Sequence, residues 1–295
     1  MTYSAFTKHR LICASCMLVL LLFSDFTSAQ ETTLFWRSEH RPPASILHGP
    51  DQGQGFIDKI RDSLIAELPQ YRHQLMAGPL DSIFNEMAHG KPVCNPLLFV
   101  TQERKQYAYF SIPASITPAM RIVMTKKLAD SLQLTEPVSL EALLGKKRTF
   151  ATITARSYGP FIDKTLREKS NKYMHAKMKV DTAIRLFKLL EKQRVDFTFA
   201  YPFELNYYLT IDPSTEFKMF TIEDSDDYTL GSVGCSKTPL GKQIIKQVNA
   251  ILKRQRTERN AIGIMNEWWP EESDKPAFKA FYENVYLKNN ETSIK

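Results

Sequence analysis

The stretch Gly90–Pro113, GKPVCNPLLFVTQERKQYAYFSIP, decides the fold of this chain. Its glycine is a typical helix end, and the mostly apolar run over residues 93–100 predicts a buried strand. The turn TQER follows at residues 101–104, and an aromatic run then closes on FSIP at residues 110–113. This order predicts a helix end, a strand and a turn that carries Arg104.

Strands and helices alternate on both sides of this stretch. Before it, short strands over residues 33–37 and 73–76 enclose a helix over 56–68, whose apolar residues recur every four positions. After it, strands are predicted over residues 121–125, 149–153, 177–180 and 195–200, separated by helical segments, and a long helix follows Thr238-Pro239. Such alternation is typical of parallel α/β layers.

The central stretch resembles the family 3 periplasmic solute-binding proteins, which bind amino acids and other small polar solutes for ABC importers. The family pattern is G-x-x-D, an apolar strand, T-x-E-R and F-S-x-P; Gly90, the strand, TQER and FSIP occupy these places in order. Val93 stands where the family has its acid. The resemblance implies an α/β, two-lobed type 2 fold, in which each lobe is a mostly parallel sheet flanked by helices.

The two α/β units and the two expected hinge crossings predict the domain organisation. Lobe 1 is discontinuous and comprises residues 30–115 and 227–295, whereas lobe 2 comprises residues 116–226. The hinge candidates are residues 115–118 and 223–227. Ligands of such sheets bind beyond the carboxyl ends of the strands, so we expect the site in the cleft between the lobes.

Residues 1–29 have the pattern of a signal peptide. A basic segment at residues 8–10 precedes an apolar run over 11–23, and small residues end at Ala29, which predicts cleavage before Gln30. The alternative is an uncleaved N-terminal anchor. We therefore expect export to the periplasm, with no membrane insertion after cleavage.

The charge of the chain is +7, and its basic and acidic residues are interspersed rather than grouped. This pattern favours an ordinary basic exported protein over a nucleic-acid partner. The sequence has no catalytic motif, no metal-ligand spacing and no cofactor signature. We therefore expect a non-enzymatic, monomeric binding protein; the alternative is an exported hydrolase built on the same scaffold.

Arg104 is the first candidate ligand-binding residue. The resemblance implies that it binds a ligand carboxylate, because a planar guanidinium can hold both oxygens; the alternative is a surface arginine. The family usually places an acid for the ligand amine after a strand of lobe 2, where this chain has Tyr201-Pro202. The amine is then bound by Glu204 or Glu39, or the ligand has no amine.

Apolar and loop residues complete the candidate set. Phe99 precedes the TQER turn in place of the small hydroxyl residues common in the family. Trp36 and Tyr201 end strands that point toward the expected cleft, and rings there supply stacking surface. Ser157 and Tyr158 precede a helix start, which suits an anion or is an ordinary capping loop.

Two cysteines remain after the expected cleavage, Cys94 and Cys235. In an oxidising compartment they either form a structural disulfide or stay as two buried free thiols. The expected partners are a small-molecule ligand and either an ABC permease or a membrane sensor.

Overall fold

The computed structural model describes residues 32–146, 148–168, 177–257 and 269–294. The predicted signal peptide over residues 1–29 and its cleavage site lie outside them. Within the described part of the chain, no helix is both long and apolar enough to span a bilayer.

Two five-stranded sheets form the two lobes. The first sheet has the order β2-β1-β3-β10-β4 and the second has the order β7-β6-β8-β5-β9. The strands are β1 Thr33–Ser38, β2 Arg72–Ala77, β3 Val93–Leu98, β4 Ala108–Pro118, β5 Arg121–Thr125, β6 Phe150–Ile153, β7 Lys177–Val180, β8 Phe197–Ala200, β9 Phe217–Phe220 and β10 Tyr228–Ser236. We call the part built on the first sheet lobe 1 and the part built on the second lobe 2.

Helices cover the faces of both sheets. They span Phe56–Ala66, Leu80–Ala88, Lys126–Leu132, Leu140–Gly145, Pro160–Glu168, Ala183–Glu191, Pro202–Ile211, Pro239–Thr257, Pro270–Ser273 and Pro276–Phe281. A 3₁₀ turn covers Arg104–Gln106, and a π-helical turn over Tyr282–Tyr286 continues the last helix.

The sheets are mixed rather than mostly parallel. In the first sheet, β1 pairs in parallel with β2 and β3, whereas β10 pairs antiparallel with β3 and β4. In the second sheet, β6 pairs in parallel with β7 and β8, and β5 is antiparallel to β8 and β9. The strands that carry the chain between lobes, β4, β5 and β10, make the antiparallel pairs.

The chain changes lobe at two neighbouring places. β4 stays paired with β10 up to Pro118 opposite Tyr228, so the hinge candidate 115–118 is regular strand and the first crossing lies at residues 119–120. The amide of Ala119 donates to the carbonyl of Asp227 at 2.8 Å. This bond ties the two crossings together.

Helix Phe56–Ala66 illustrates why the core forms. Phe56, Ile60 and Leu64 are spaced by four residues, which places them on one face of the helix, and all three are buried. Each such side chain contributes roughly 1.5–3 kcal/mol on burial. Most of the buried apolar residues of both lobes belong to one continuous cluster.

A disulfide joins the two inner strands of lobe 1. Cys94 in β3 lies opposite Cys235 in β10, and their sulfurs are bonded across 141 residues of sequence. Both side chains are fully buried. The bond closes the discontinuous lobe covalently.

Candidate functional site

The carboxyl ends of strands from both lobes meet at a cavity of about 60 Å³. Ser38 ends β1 and Glu39 follows it, and Phe99 and Arg104 follow β3. Arg156 and Ser157 reach the cavity from lobe 2 after β6, and Tyr201 after β8. The cleft therefore combines charged groups with aromatic walls.

Arg104 is buried, with 5% of its surface exposed. Its Nη1 donates to the carbonyl of Phe99 at 3.0 Å, and its Nη2 donates to the carbonyl of Ala155 at 3.1 Å. Phe99 belongs to lobe 1 and Ala155 to lobe 2, so this side chain bridges the cleft. The guanidinium also lies 4.6 Å from the centre of the Phe84 ring.

No carboxylate among the described residues forms an ion pair with Arg104. Burial lowers the pKa of Arg104, although the charges of Tyr107, Asp163 and Glu103 and a side-chain hydrogen bond with Tyr107 oppose that shift. A buried cation that has only neutral oxygen partners is electrostatically uncompensated. It can therefore stabilise an anion that enters the cleft.

Arg156 is the buried arginine of lobe 2 at the cavity, and unlike Arg104 it forms an ion pair with a carboxylate. It donates from Nη1 and Nη2 to the two carboxylate oxygens of Glu204, at 3.1 and 2.5 Å. Burial alone would lower the pKa of Arg156, but the charge and hydrogen bonds of Glu204 raise it above its ordinary value. The two charges of the pair compensate each other, although Nε of Arg156 has no hydrogen-bond partner in the described structure.

The same pair removes Glu204 from the candidates for binding a ligand amine. Glu204 is 1% exposed and accepts a further hydrogen bond from the amide of Tyr201 at 3.2 Å. Burial would raise the pKa of Glu204, but Arg156 lowers it. This carboxylate is occupied by structural partners and lies behind the cavity wall.

Glu39 is the other candidate for an amine, and it lines the cavity. Among the described residues, none forms a hydrogen bond or ion pair with its carboxylate. Burial raises the pKa of Glu39, and the charges of Arg41, Arg156 and Arg104 only partly offset that shift. Its carboxylate is thus available to a positively charged group.

Arg41 also lines the cavity, and the sequence reasoning missed it. It lies two residues beyond Glu39, in the polar loop after β1, which carries two prolines. Within the described structure its guanidinium has no hydrogen-bond or ion-pair partner. Its position could have indicated a role in binding, since it closely follows a strand whose end was expected to face the cleft.

Backbone and side-chain bonds hold the loop that carries Arg41. Arg41 and Ser45 form an antiparallel bridge. The hydroxyl of Ser45 and the amide of Ile46 donate to the carboxylate of Asp58, at 2.8 and 2.6 Å. The amide of Leu47 donates to Nδ1 of His40 at 3.1 Å. The loop is therefore anchored to helix Phe56–Ala66.

Ser38 adds a polar group to the cavity wall. Its side chain is 5% exposed, and its hydroxyl oxygen has no hydrogen-bond partner in the described structure. A buried hydroxyl without a partner is disfavoured, so this group is available to a ligand that enters the cavity.

Two of the predicted aromatic contacts lie in the core instead. Trp36 is 1% exposed, and its indole N–H donates to His73 at 2.9 Å. The hydroxyl of Tyr158 accepts from the amide of Ile153 at 2.6 Å. Neither residue lines the cavity, and both belong to the buried apolar cluster; Phe99 and Tyr201 do line it.

The loop before helix Pro160–Glu168 satisfies its own donors. The hydroxyl of Ser157 and the amide of Tyr158 both donate to the carboxylate of Asp163, at 2.5 and 2.8 Å. Asp163 therefore already occupies the place where an anion was expected. Ser157 lines the cavity but is committed to this cap.

Aromatic rings close one side of the cleft. Phe56 of lobe 1 lies edge-on to Phe203 of lobe 2, with ring centres 5.4 Å apart. Trp269 contacts both rings, at 5.0 and 5.8 Å. These contacts and the bond from Arg104 to Ala155 hold the lobes against each other.

The described cavity lining contains serines but no histidine. Ser45 is bonded to Asp58, and Ser157 is bonded to Asp163. The arrangement that would favour the hydrolase, a serine or cysteine beside a histidine, is not found among these lining residues.

No protein-family model matches the sequence, and no curated protein matches it. Solved structures do share its fold. A mutant of ArgBP from T. maritima has a TM-score of 0.63 at 16% identity and covers 82% of this chain and 97% of its own. An ancestral arginine-binding protein bound to arginine has a TM-score of 0.63 at 18% identity, with 81% and 98% coverage.

A sensor protein has the same fold. The sensor domain of a histidine kinase, described as similar to periplasmic binding proteins, has a TM-score of 0.64 at 13% identity, with 81% and 96% coverage. These likenesses show that the chain has the two-lobed type 2 periplasmic binding fold, which the sequence predicted. The neighbours include both solute-binding proteins and sensor domains.

Proposed function

We propose that this protein captures a small solute with an acidic group, in the manner of an amino-acid-binding protein, in the cleft between its lobes. One observation carries the proposal: Arg104 is buried at the cavity, donates to the carbonyls of Phe99 and Ala155, and forms no ion pair with any described residue. A carboxylate held by both prongs of the guanidinium would compensate that charge.

The motion that accompanies binding is hinge closure. Lobe 1, including the whole of β4 and β10, would move as one body against lobe 2, about the crossings near Ala119 and Asp227. A ligand that contacts both walls stabilises the closed state. Arg104 can contribute both to ligand binding and to hinge closure, since it belongs to lobe 1 and donates a hydrogen bond to Ala155 of lobe 2.

The role in the cell follows from the fold's known uses and the N-terminal pattern. We propose that the mature protein resides in the periplasm as a monomer and delivers its ligand to an ABC permease or reports it to a membrane sensor. Support comes from neighbours of both kinds, a substrate-binding protein of an amino acid ABC transporter and a histidine kinase sensor domain.

The test begins with native mass spectrometry of gently purified protein, to identify a bound small molecule. The identified compound and the twenty amino acids are then titrated calorimetrically against the wild type, Arg104→Ala and Arg104→Lys. We expect Arg104→Ala to lose roughly 2–5 kcal/mol of binding free energy. Arg104→Lys should recover only part, because an ammonium lacks the two-pronged geometry.

Arg185→Ala is the matched control, since Arg185 is an exposed arginine paired with Asp181 on a helix of lobe 2. Small-angle scattering should show a smaller radius of gyration with ligand. Unchanged affinity in Arg104→Ala would end the proposed role of this residue. An unchanged radius with a tightly bound ligand would rule out large closure.

A further inference from the structure

We propose that the cleft selects an acidic amino acid, whose two carboxylates are bound by Arg104 and Arg41 and whose ammonium is bound by Glu39. The inference rests on the proposed function and adds the chemical class of its ligand. It also assigns ligand-binding roles to Arg41 and to the hydroxyl of Ser38.

The charges at the cavity wall specify the net charge of the ligand. The lining contains three arginines, Arg41, Arg104 and Arg156, and one acid, Glu39. Glu204 neutralises Arg156 through two hydrogen bonds. What remains is two cations and one anion, a net charge of +1. A ligand of charge −1 makes the closed cleft neutral, and desolvated charges are tolerated only when they are compensated.

The arrangement of these charges specifies the groups on the ligand. A diacid without an amine would compensate both arginines but would leave Glu39 against a second negative charge. A neutral amino acid would satisfy Glu39 and Arg104 but would leave Arg41 without an anion. Of these three classes, a ligand with one ammonium and two carboxylates pairs all three side chains, none of which forms an ion pair with a described residue.

Position supports the assignment of Arg41 and Glu39 to one ligand. Ser38, Glu39 and Arg41 all come from the end of β1 and the loop after it, and that loop is anchored by Asp58. Arg104 follows the neighbouring strand β3. The unpartnered hydroxyl of Ser38 is a further donor at this edge.

The experiment compares matched probes by calorimetric titration of the mature protein. The probes are L-aspartate, L-asparagine and succinate, and L-glutamate, L-glutamine and glutarate. We expect one acidic amino acid to bind at least tenfold more tightly than both its amide and its diacid. Equal or tighter binding of the amide, or no binding of either acidic amino acid, overturns the inference.

Variants then test which side chain binds the second carboxylate of the ligand and which binds its ammonium. Arg41→Gln should bring the affinities for the acid and its amide to within about threefold of each other. Glu39→Gln should bring the affinities for the acidic amino acid and its diacid to within about threefold of each other. Arg72→Gln, which removes an exposed arginine of β2 in the same lobe, should preserve both preferences. A melting curve for each variant confirms that it is folded.

The outcomes separate this inference from the proposed function. If a neutral amino acid binds best and Arg104→Ala abolishes that binding, the proposed function stands and the acidic class is wrong. If neither these probes nor the broader panel binds in an Arg104-dependent way, both fail. If the acid preference persists in Arg41→Gln, the role of Arg41 is overturned.

Discussion

In both lobes the strand that follows a crossing, β5 or β10, takes the fourth place in a five-stranded sheet. The charged side chains at the two cleft walls nevertheless differ: those of lobe 2 are paired with each other and those of lobe 1 are not. In lobe 2, Arg156 and Glu204 form a buried pair joined by two hydrogen bonds. In lobe 1, Arg104 is buried to a similar degree but donates to the carbonyls of Phe99 and Ala155 and forms no ion pair with a described residue. The side chains of Arg41 and Glu39 likewise form no ion pair or hydrogen bond within the described structure.

We call the cleft wall of lobe 2, with its paired charges, the structural wall, and the cleft wall of lobe 1, with its unpaired charges, the binding wall. A compensated pair adds no preference for a charged ligand, since each member already has its counter-charge. Uncompensated groups carry a desolvation penalty that a ligand removes. Lobe 1 can tolerate this penalty because the disulfide between Cys94 and Cys235 holds its strands together.

Loss of the disulfide should have the largest effect. The double variant Cys94→Ala/Cys235→Ala releases a loop of 141 residues, which destabilises the protein by about 5 kcal/mol in the chain-entropy treatment. All three tryptophans of the chain lie outside residues 116–226, so denaturant unfolding followed by tryptophan fluorescence reports on lobe 1. An unshifted fluorescence transition would show that the disulfide does not stabilise lobe 1.

Breaking the ion pair should have the next largest effect, and in the other lobe. Arg156→Ala leaves Glu204 buried without its partner, which costs about 3–5 kcal/mol. Hydrogen exchange should show faster opening of β6 and β8. Arg156→Met/Glu204→Leu, which removes both charges, should restore most of the stability. If the double variant is as unstable as the single one, packing rather than charge explains the loss.

Arg104→Met should change the stability of the ligand-free protein least among the charge variants. It gives up two hydrogen bonds to carbonyls but also removes a buried uncompensated cation, so we expect a net loss of about 1 kcal/mol. Thermal unfolding alongside Arg156→Met provides the comparison. Equal losses for both variants would contradict the division into a structural and a binding wall.

A pH effect on the loop of lobe 1 should be the smallest. Burial and the stacked ring of His48, 3.6 Å away, lower the pKa of His40, while Asp58 opposes the shift. The unfolded chain therefore binds a proton at His40 more tightly than the folded chain does. The resulting contribution of His40 to the free energy of unfolding is complete above about pH 6.5 and is lost as the pH falls. Solvent screening keeps it below about 1 kcal/mol.

His40→Asn provides the measurement for this pH effect. Its amide oxygen can still accept from Leu47, but it cannot be protonated. Thermal unfolding of both proteins between pH 5 and pH 8 should give a shallower pH dependence for the variant. Parallel curves would assign the dependence to other groups.

The sequence predicted the parts of the molecule that depend on neighbouring residues. Arg104 was placed at the cleft because the TQER turn after its strand resembles a local family pattern, and it does line the cavity. The pairing of Arg156 with Glu204 was missed because 48 residues separate them and no local pattern couples them. Glu204 was consequently expected to bind an amine, whereas Arg156 occupies it.

Secondary structure was missed where the periodic signal is absent. Helix Pro202–Ile211 and strand β9 were not predicted. The apolar and aromatic side chains of this helix surround its axis, so no single stripe marks it. Strand β9 has four residues and a partly exposed pattern, which gives alternation little length in which to appear.

The place of β10 between β3 and β4 bears on the order in which the chain can fold. Every strand of the second sheet is contained in residues 121–220, so that sheet can be completed before β10 leaves the ribosome or the export channel. The first sheet cannot, because β4 reaches β3 only through β10. The wall that would recognise the ligand is therefore assembled last, and its sheet depends on a segment made more than a hundred residues after Arg104.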